Sequence, residues 1–170
     1  MKNNYEVRYA CSPKETKGLT TEELRKEFLI ENLMEADAIN LVYTHFDRYI
    51  VGGAVPVKTS LKLTTIDPLK SDYFLERREI GIINVGGAGS VTVKGQKYDL
   101  DYKEALYIGK ENKEVSFSSD SADKPAKFYL NSTPAHKVFP TKKISRAEAE
   151  IVEMGSMETA NARTIRKLIV

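Results

Sequence analysis

Apolar residues in this chain recur mostly in short, alternating runs rather than at helical spacing. From residue 38 onward, β-prone segments follow one another with Gly, Asp, Asn and Pro between them: Ile39–Tyr43, Arg48–Val51, Ala54–Leu63, Ile80–Val85, Ser90–Val93, Ala105–Ile108, Val115–Phe117 and Lys127–Leu130. That spacing predicts an all-β sandwich or barrel rather than alternating strand–helix units. The first two strands are expected to be separated or bent near His45, Phe46 and Asp47, and Gly52-Gly53 is expected to break the second. Residues 1–20 read as an extended arm and loop. Thr20 or Thr21 is placed to cap a short helix running to Phe28, with Leu24 and Phe28 on one face. Residues 132–143, carrying Pro134 and Pro140, read as an irregular crossing segment. Ser145 and Glu148 have capping-box spacing, and the tail ends in the apolar run Leu168-Ile169-Val170.

Composition narrows the class without naming a function. The 170 residues are 41% hydrophobic and 29% charged, a globular balance, and the formal charge of +2 gives no long-range field for nucleic acid or an anionic membrane. No run approaches the roughly 20 apolar residues that cross a bilayer, and the N-terminus has no apolar signal core, so a cytoplasmic location is expected. Cys11 is the only cysteine, which excludes an intrachain disulfide and a cysteine zinc cluster.

Four groups of residues invite chemistry. In Val85-Gly86-Gly87-Ala88-Gly89 the glycines suggest a phosphate loop, but Val91-Thr92-Val93 follows where a helix should start, and a structural hairpin is the better reading. In Glu76-Arg77-Arg78-Glu79, an extended strand would turn Glu76 and Arg78 one way and Arg77 and Glu79 the other. Each side would offer a carboxylate and a guanidinium to a polar ligand, or to an ion-pair network. His45 and Asp47 would share a strand face, an arrangement suited to proton transfer, while His136 lies far along the chain, so a structural role is expected for both histidines. Tyr98, Tyr102 and Tyr107 interleave with Lys94, Lys97 and Lys103, but Asp99, Asp101 and Glu104 cancel the charge a nucleic-acid surface needs. No serine sits in a Gly-x-Ser-x-Gly elbow.

The segment from Glu79 to Val115, with Gly86-Gly87-Ala88-Gly89, Val91–Gly95 and Ala105–Gly109, resembles a cupin half-barrel. The histidines that a metal-binding cupin carries are replaced here by Phe74–Arg78 and by Gly109–Glu114. Over nearly the whole chain the sequence is similar to the N-terminal part of the 5-keto-4-deoxyuronate isomerase family. That likeness is carried by Leu24–Leu29, Tyr43–Arg48, Ile50–Gly53, Tyr73–Gly89, Pro125–Tyr129, Pro134–His136, Pro140–Lys143 and Asn161–Ile165.

The resemblance implies a zinc-dependent two-cupin ketol-isomerase of pectin and uronate degradation. Such an enzyme interconverts 4-deoxy-L-threo-5-hexosulose uronate and 3-deoxy-D-glycero-2,5-hexodiulosonate, commonly as a homohexamer. Its zinc is held by three histidines and a glutamate of a C-terminal cupin, expected beyond Val170. The expectation is therefore an arm and short helix over 1–35, an N-terminal cupin-like domain over 36–140, and a linker or the start of a second cupin over 141–170. No catalytic, cofactor-binding or metal-binding residue is assigned to the chain, which is expected to be inactive alone. Glu76, Arg77, Arg78 and Glu79 remain candidates for assembly or substrate-environment contacts. The alternative is a non-catalytic sugar-binding or subunit-interaction cupin.

Overall fold

The alternation read from the sequence gives a mostly β architecture in the computed structural model, which describes residues 3–169: a larger and a smaller sheet share one core, beside a separate two-stranded hairpin. In chain order the elements are β1 (Asn4–Arg8), α1 (Pro13–Thr16), α2 (Thr21–Phe28), β2 (Ile39–Thr44), β3 (Ile50–Ala54), β4 (Leu61–Lys62), β5 (Arg78–Asn84), β6 (Gly89–Val93) and β7 (Gln96–Leu100). They continue with β8 (Ala105–Ile108), β9 (Val115–Ser119), β10 (Phe128–Pro134), β11 (Lys142–Ile144), β12 (Glu150–Met154) and β13 (Arg163–Lys167). The larger sheet has seven strands in the order β1-β2-β3-β10-β5-β8-β11, and the smaller four in the order β4-β9-β6-β7. Pairing is antiparallel throughout except for β1, which lies parallel to β2.

Period-two burial explains why these segments are strands. In β5, Arg78, Ile80, Ile82 and Asn84 are buried while Glu79, Gly81 and Ile83 are only partly covered. The inward residues meet Val91, Val93, Leu100 and Phe117 of the smaller sheet in one continuous cluster with Leu41, Ile50, Phe128 and Leu130. Phe117 and Phe128 pack with ring centroids 5.4 Å apart. Burying side chains of this size contributes about 1.5–3 kcal/mol each. The interior is thus filled mostly by aliphatic and aromatic groups, with Arg78, Asn84, Ser90 and Ser132 buried among them.

Several expectations change. Gly52-Gly53 does not break β3 but continues it, because a Cβ on Gly52 would lie 2.6 Å from Leu41 Cδ2, and one on Gly53 would overlap the Leu33 carbonyl. Glycine here allows close layering rather than a turn. The expected strand Ala54–Leu63 reduces to the end of β3 and the two-residue β4. β10 runs on to Pro134, and β11 occupies residues read as irregular. β7 went unforeseen, and it is joined to β6 through Lys94 and Gly95, both at positive φ. β1 replaces the extended arm as a paired strand. Glu148 accepts from the Ser145 N–H through its side chain and donates its own N–H to the Ser145 carbonyl, so the expected capping box becomes a turn leading into the hairpin β12–β13 rather than opening a helix. Thr20 does cap α2, and Ser12 caps α1 in the same way.

Candidate functional site

The glycine signature is a structural joint. Gly86 N–H donates to Asn84 Oδ1 at 3.0 Å and Gly87 N–H to the Pro125 carbonyl at 2.9 Å, so these amides are occupied internally. A Cβ on Gly87 would overlap the Lys124 carbonyl, which explains the need for glycine where the loop passes the 124–127 segment. Asn84 organises the joint. Its amide nitrogen donates to Gly87 O at 2.7 Å and Leu100 O at 2.8 Å, and its oxygen accepts from Gly86 N and Lys127 N. Sequence reasoning missed this fully buried residue, whose only signal was a polar side chain on the inward parity of Ile80 and Ile82.

The Glu76–Glu79 run does not form one strand. Leu75 makes an isolated bridge with Asn112, and extended pairing resumes only at Arg78, so the expected two-by-two division of side chains fails. Each of the four goes its own way. Glu76 accepts from Asp72 N–H at 2.7 Å and lies 3.7 Å from Arg77. Arg77 donates to the carbonyls of Leu69 and Lys70. Glu79 turns to the outer face of the large sheet, where it accepts a 2.7 Å bond from the Tyr107 hydroxyl. Burial and that carboxylate both push the Tyr107 hydroxyl well above the ordinary tyrosine range.

Arg78 points into the core and is 5% exposed. Its Nε donates to Ser132 Oγ at 3.2 Å, and its Nη2 donates to the carbonyls of Arg48 and Ser132, each at 2.7 Å. The Arg48 carbonyl is presented by a turn in which Asp47 and Arg48 both have positive φ, 51° and 54°. Burial is the main effect lowering the Arg78 pKa to about 10, with Tyr43 opposing the fall and the Arg48 cation adding to it. It remains a cation at neutral pH. The guanidinium borders a 170 Å³ pocket at the end of the core, where β2 and β10 finish and β3 and β5 begin.

The histidines are not brought together. His45 lies beyond the end of β2, exposed, with its ring stacked on Tyr9 at 4.6 Å and edge-on to Tyr43 at 5.4 Å. Because Asp47 is in a left-handed turn, the expected shared strand face with His45 does not exist. His136 is exposed after β10. Among the described residues, no group of three or more His, Cys, Asp or Glu side chains is placed to hold a metal ion. The tyrosines and lysines of residues 94–107 are likewise divided: Tyr98 packs on the core, Lys97 pairs with Asp99 at 2.7 Å, and Lys103 lies over the Tyr102 ring. Among the described residues, no helix is long and apolar enough to cross a membrane.

A second concavity lies on the outer face of the large sheet, where residues 166–169 pass over Glu79, Gly81, Ile83, Tyr107, Asn131 and Thr133. Asn131 Oδ1 and Arg166 Nε are buried there without a hydrogen-bond partner among the described residues. No local motif marked either position.

The model of the KduI/IolB family matches residues 28–170. The chain belongs to the KduI/IolB family. All 170 residues align at 62% identity with 61% of the length of a 4-deoxy-L-threo-5-hexosulose-uronate ketol-isomerase from Formosa agariphila. A protein of the same description from Bacteroides fragilis is 51% identical, again over all of this chain and 61% of its own length. The chain therefore spans about three-fifths of the length of the curated relatives it matches. Among solved structures, an IolB-like protein from Salmonella typhimurium LT2 superposes with a TM-score of 0.52 over 71% of this chain and 43% of that one, at 16% identity. That likeness concerns the fold alone: a mostly-β architecture with a few short helices, here belonging to a KduI/IolB family member.

Proposed function

We propose that this KduI/IolB chain is the N-terminal part of a ketol-isomerase that interconverts 4-deoxy-L-threo-5-hexosulose uronate and 3-deoxy-D-glycero-2,5-hexodiulosonate in pectin and uronate degradation. The observation that carries the reading is the 62% identity to such an isomerase along the entire chain. In this reading the two sheets are a cupin-like β-sandwich, residues 36–140 are its body, residues 1–35 an arm, and residues 141–170 a lead into a second cupin.

Zinc, when bound by the whole enzyme, would polarise the carbonyl–hydroxyl unit of the substrate. The described residues do not fit that ion: both histidines are exposed and separate, and the buried polar residues, Asn3, Arg78, Asn84, Ser90 and Ser132, include no histidine or carboxylate. No chemical step is therefore assigned to this chain. Its role is to support a catalytic cupin and the assembly, a cytoplasmic homohexamer by family resemblance, with a deoxyuronate as substrate.

The test is ketol-isomerase turnover by the 170-residue chain with zinc supplied, beside a full-length two-cupin relative. We expect turnover only from the relative. Comparable turnover by the chain alone overturns the supporting role.

A further inference from the structure

A buried guanidinium normally faces a carboxylate, since an uncompensated charge in a low-dielectric interior is costly. Arg78 has none. Among the described residues, no carboxylate pairs with Arg78 or with Arg48. The two acidic residues of its own segment are committed elsewhere, Glu76 to the Asp72 amide and Glu79 to Tyr107 across the sheet. Nη1 has no hydrogen-bond partner among the described residues, although Nε and Nη2 are both bound. The adjoining 170 Å³ pocket is bordered by three arginines, Arg48, Arg77 and Arg78, together with Tyr43 and Ser71. That is roughly six waters' worth of space, enough for a small oxyanion and its neighbouring carbons but not for an oligosaccharide.

We propose that this pocket is a binding site for the carboxylate of a small hydroxylated acid such as an acidic monosaccharide. Ser132 and the Arg48 carbonyl take the Nε proton and both Nη2 protons and fix the guanidinium plane, which leaves Nη1 as the donor held ready for a carboxylate oxygen. Arg48, exposed at the rim, adds attraction at longer range. Tyr43 supplies a hydroxyl for the rest of the ligand, beside Ser71, whose Oγ is bonded to Thr65 Oγ1 at 3.0 Å. The pocket opens at the end of β2 and the start of β3, away from the Glu79–Tyr107 face. The inference rests on this arrangement of charge and not on the isomerase reading.

The experiment is calorimetric titration of the 170-residue chain with D-galacturonate, with its neutral counterpart D-galactose and with inorganic phosphate, at low and physiological salt. Saturable galacturonate binding is expected, with galactose at least about tenfold weaker because it lacks the charge-assisted contact, and phosphate weaker because it lacks the hydroxylated carbons that would meet Tyr43. Arg78→Met should weaken galacturonate at least about tenfold and abolish its thermal-shift stabilisation. Arg48→Gln, which leaves the buried group in place, should weaken it about threefold and flatten its salt dependence. If the methionine variant does not fold, the Arg48→Gln result and the salt dependence decide. No saturable binding up to about 20 mM, well above the millimolar constants of weak complexes, overturns the proposal. So does equal binding of galactose or phosphate, or an Arg48→Gln variant indistinguishable from the parent in affinity and salt response.

Discussion

Replacing Asn84 by leucine removes the most connected polar side chain among the described residues at nearly constant volume. The amide uses all its capacity, two N–H donors and two acceptor lone pairs, on four backbone groups: the carbonyls of Gly87 and Leu100 and the amides of Gly86 and Lys127. Leucine satisfies none of them. Each orphaned buried group costs about 1–3 kcal/mol, and partial access of water at Gly86 and Lys127 keeps the total near the lower end, about 4 kcal/mol. That is a large share of the roughly 5–15 kcal/mol that holds a typical domain together. Urea unfolding followed by circular dichroism measures it directly.

Asn84→Asp sharpens the argument because it keeps both lone pairs but turns oxygen toward the Gly87 and Leu100 carbonyls. Burial and those carbonyls raise the folded-state pKa of the aspartate above its unfolded value near 3.9. The variant should then be most stable below that value and lose stability as pH rises through its folded pKa. A leucine variant within about 1 kcal/mol of the parent would refute the joint as described, as would an aspartate variant whose deficit is independent of pH.

Three further outcomes are expected. Phe117→Ala, which empties a fully buried ring site against Phe128, should cost about 3–5 kcal/mol in urea unfolding without altering secondary structure. Gly53→Val should destabilise by about 1–3 kcal/mol and raise hydrogen exchange in the Leu33–Met34 segment, whose backbone the new side chain displaces. For Glu104, burial pushes the carboxyl up, but the Lys143 ammonium at 2.9 Å and the Asp101 amide outweigh it, so its pKa is lowered. A lowered folded pKa contributes stability above the unfolded value near 4.3 that is lost as pH falls through the folded one. Glu104→Gln should accordingly flatten that part of the acid-unfolding profile and leave neutral-pH stability lower by about 1 kcal/mol.

The strands were legible where one face alone is apolar. β5 and β6 announce themselves by Ile80, Ile82, Val91 and Val93 at period two. β7 does not, because Gln96, Lys97 and Asp99 are exposed and only Leu100 is fully buried. Gly52-Gly53 misled because glycine has two uses, turning a chain and letting another layer approach it, and only the contacts with Leu41 and Leu33 distinguish them. The Glu76–Glu79 run was visible as unusual chemistry, but the bridge at Leu75 that resets its geometry depends on Asn112, far along the chain. Asn131 and Arg166 had no sequence signal, since their burial arises from residues 166–169 crossing the sheet.

Two stretches in the sequence could have held an anion, the glycine loop at 86–89 and the arginines at 77–78, and the structure separates them by one criterion. An anion site needs donors that folding leaves unspent. In the glycine loop the Gly86 and Gly87 amides are consumed by Asn84 and Pro125. At the arginines the reverse holds: folding buries a permanent cation, aligns it with three bonds to Ser132 and Arg48, and leaves it without a carboxylate. Replacing Arg78 by an apolar residue removes the cost of burying the charge but leaves the Arg48 and Ser132 carbonyls without that donor, so stability and binding have to be read together. Arg78→Met therefore tests both meanings at once. Unchanged or higher stability together with lost galacturonate binding marks the charge as kept for a ligand, whereas a large loss of stability with unaltered binding marks it as a tie between β5, β10 and the Asp47–Arg48 turn.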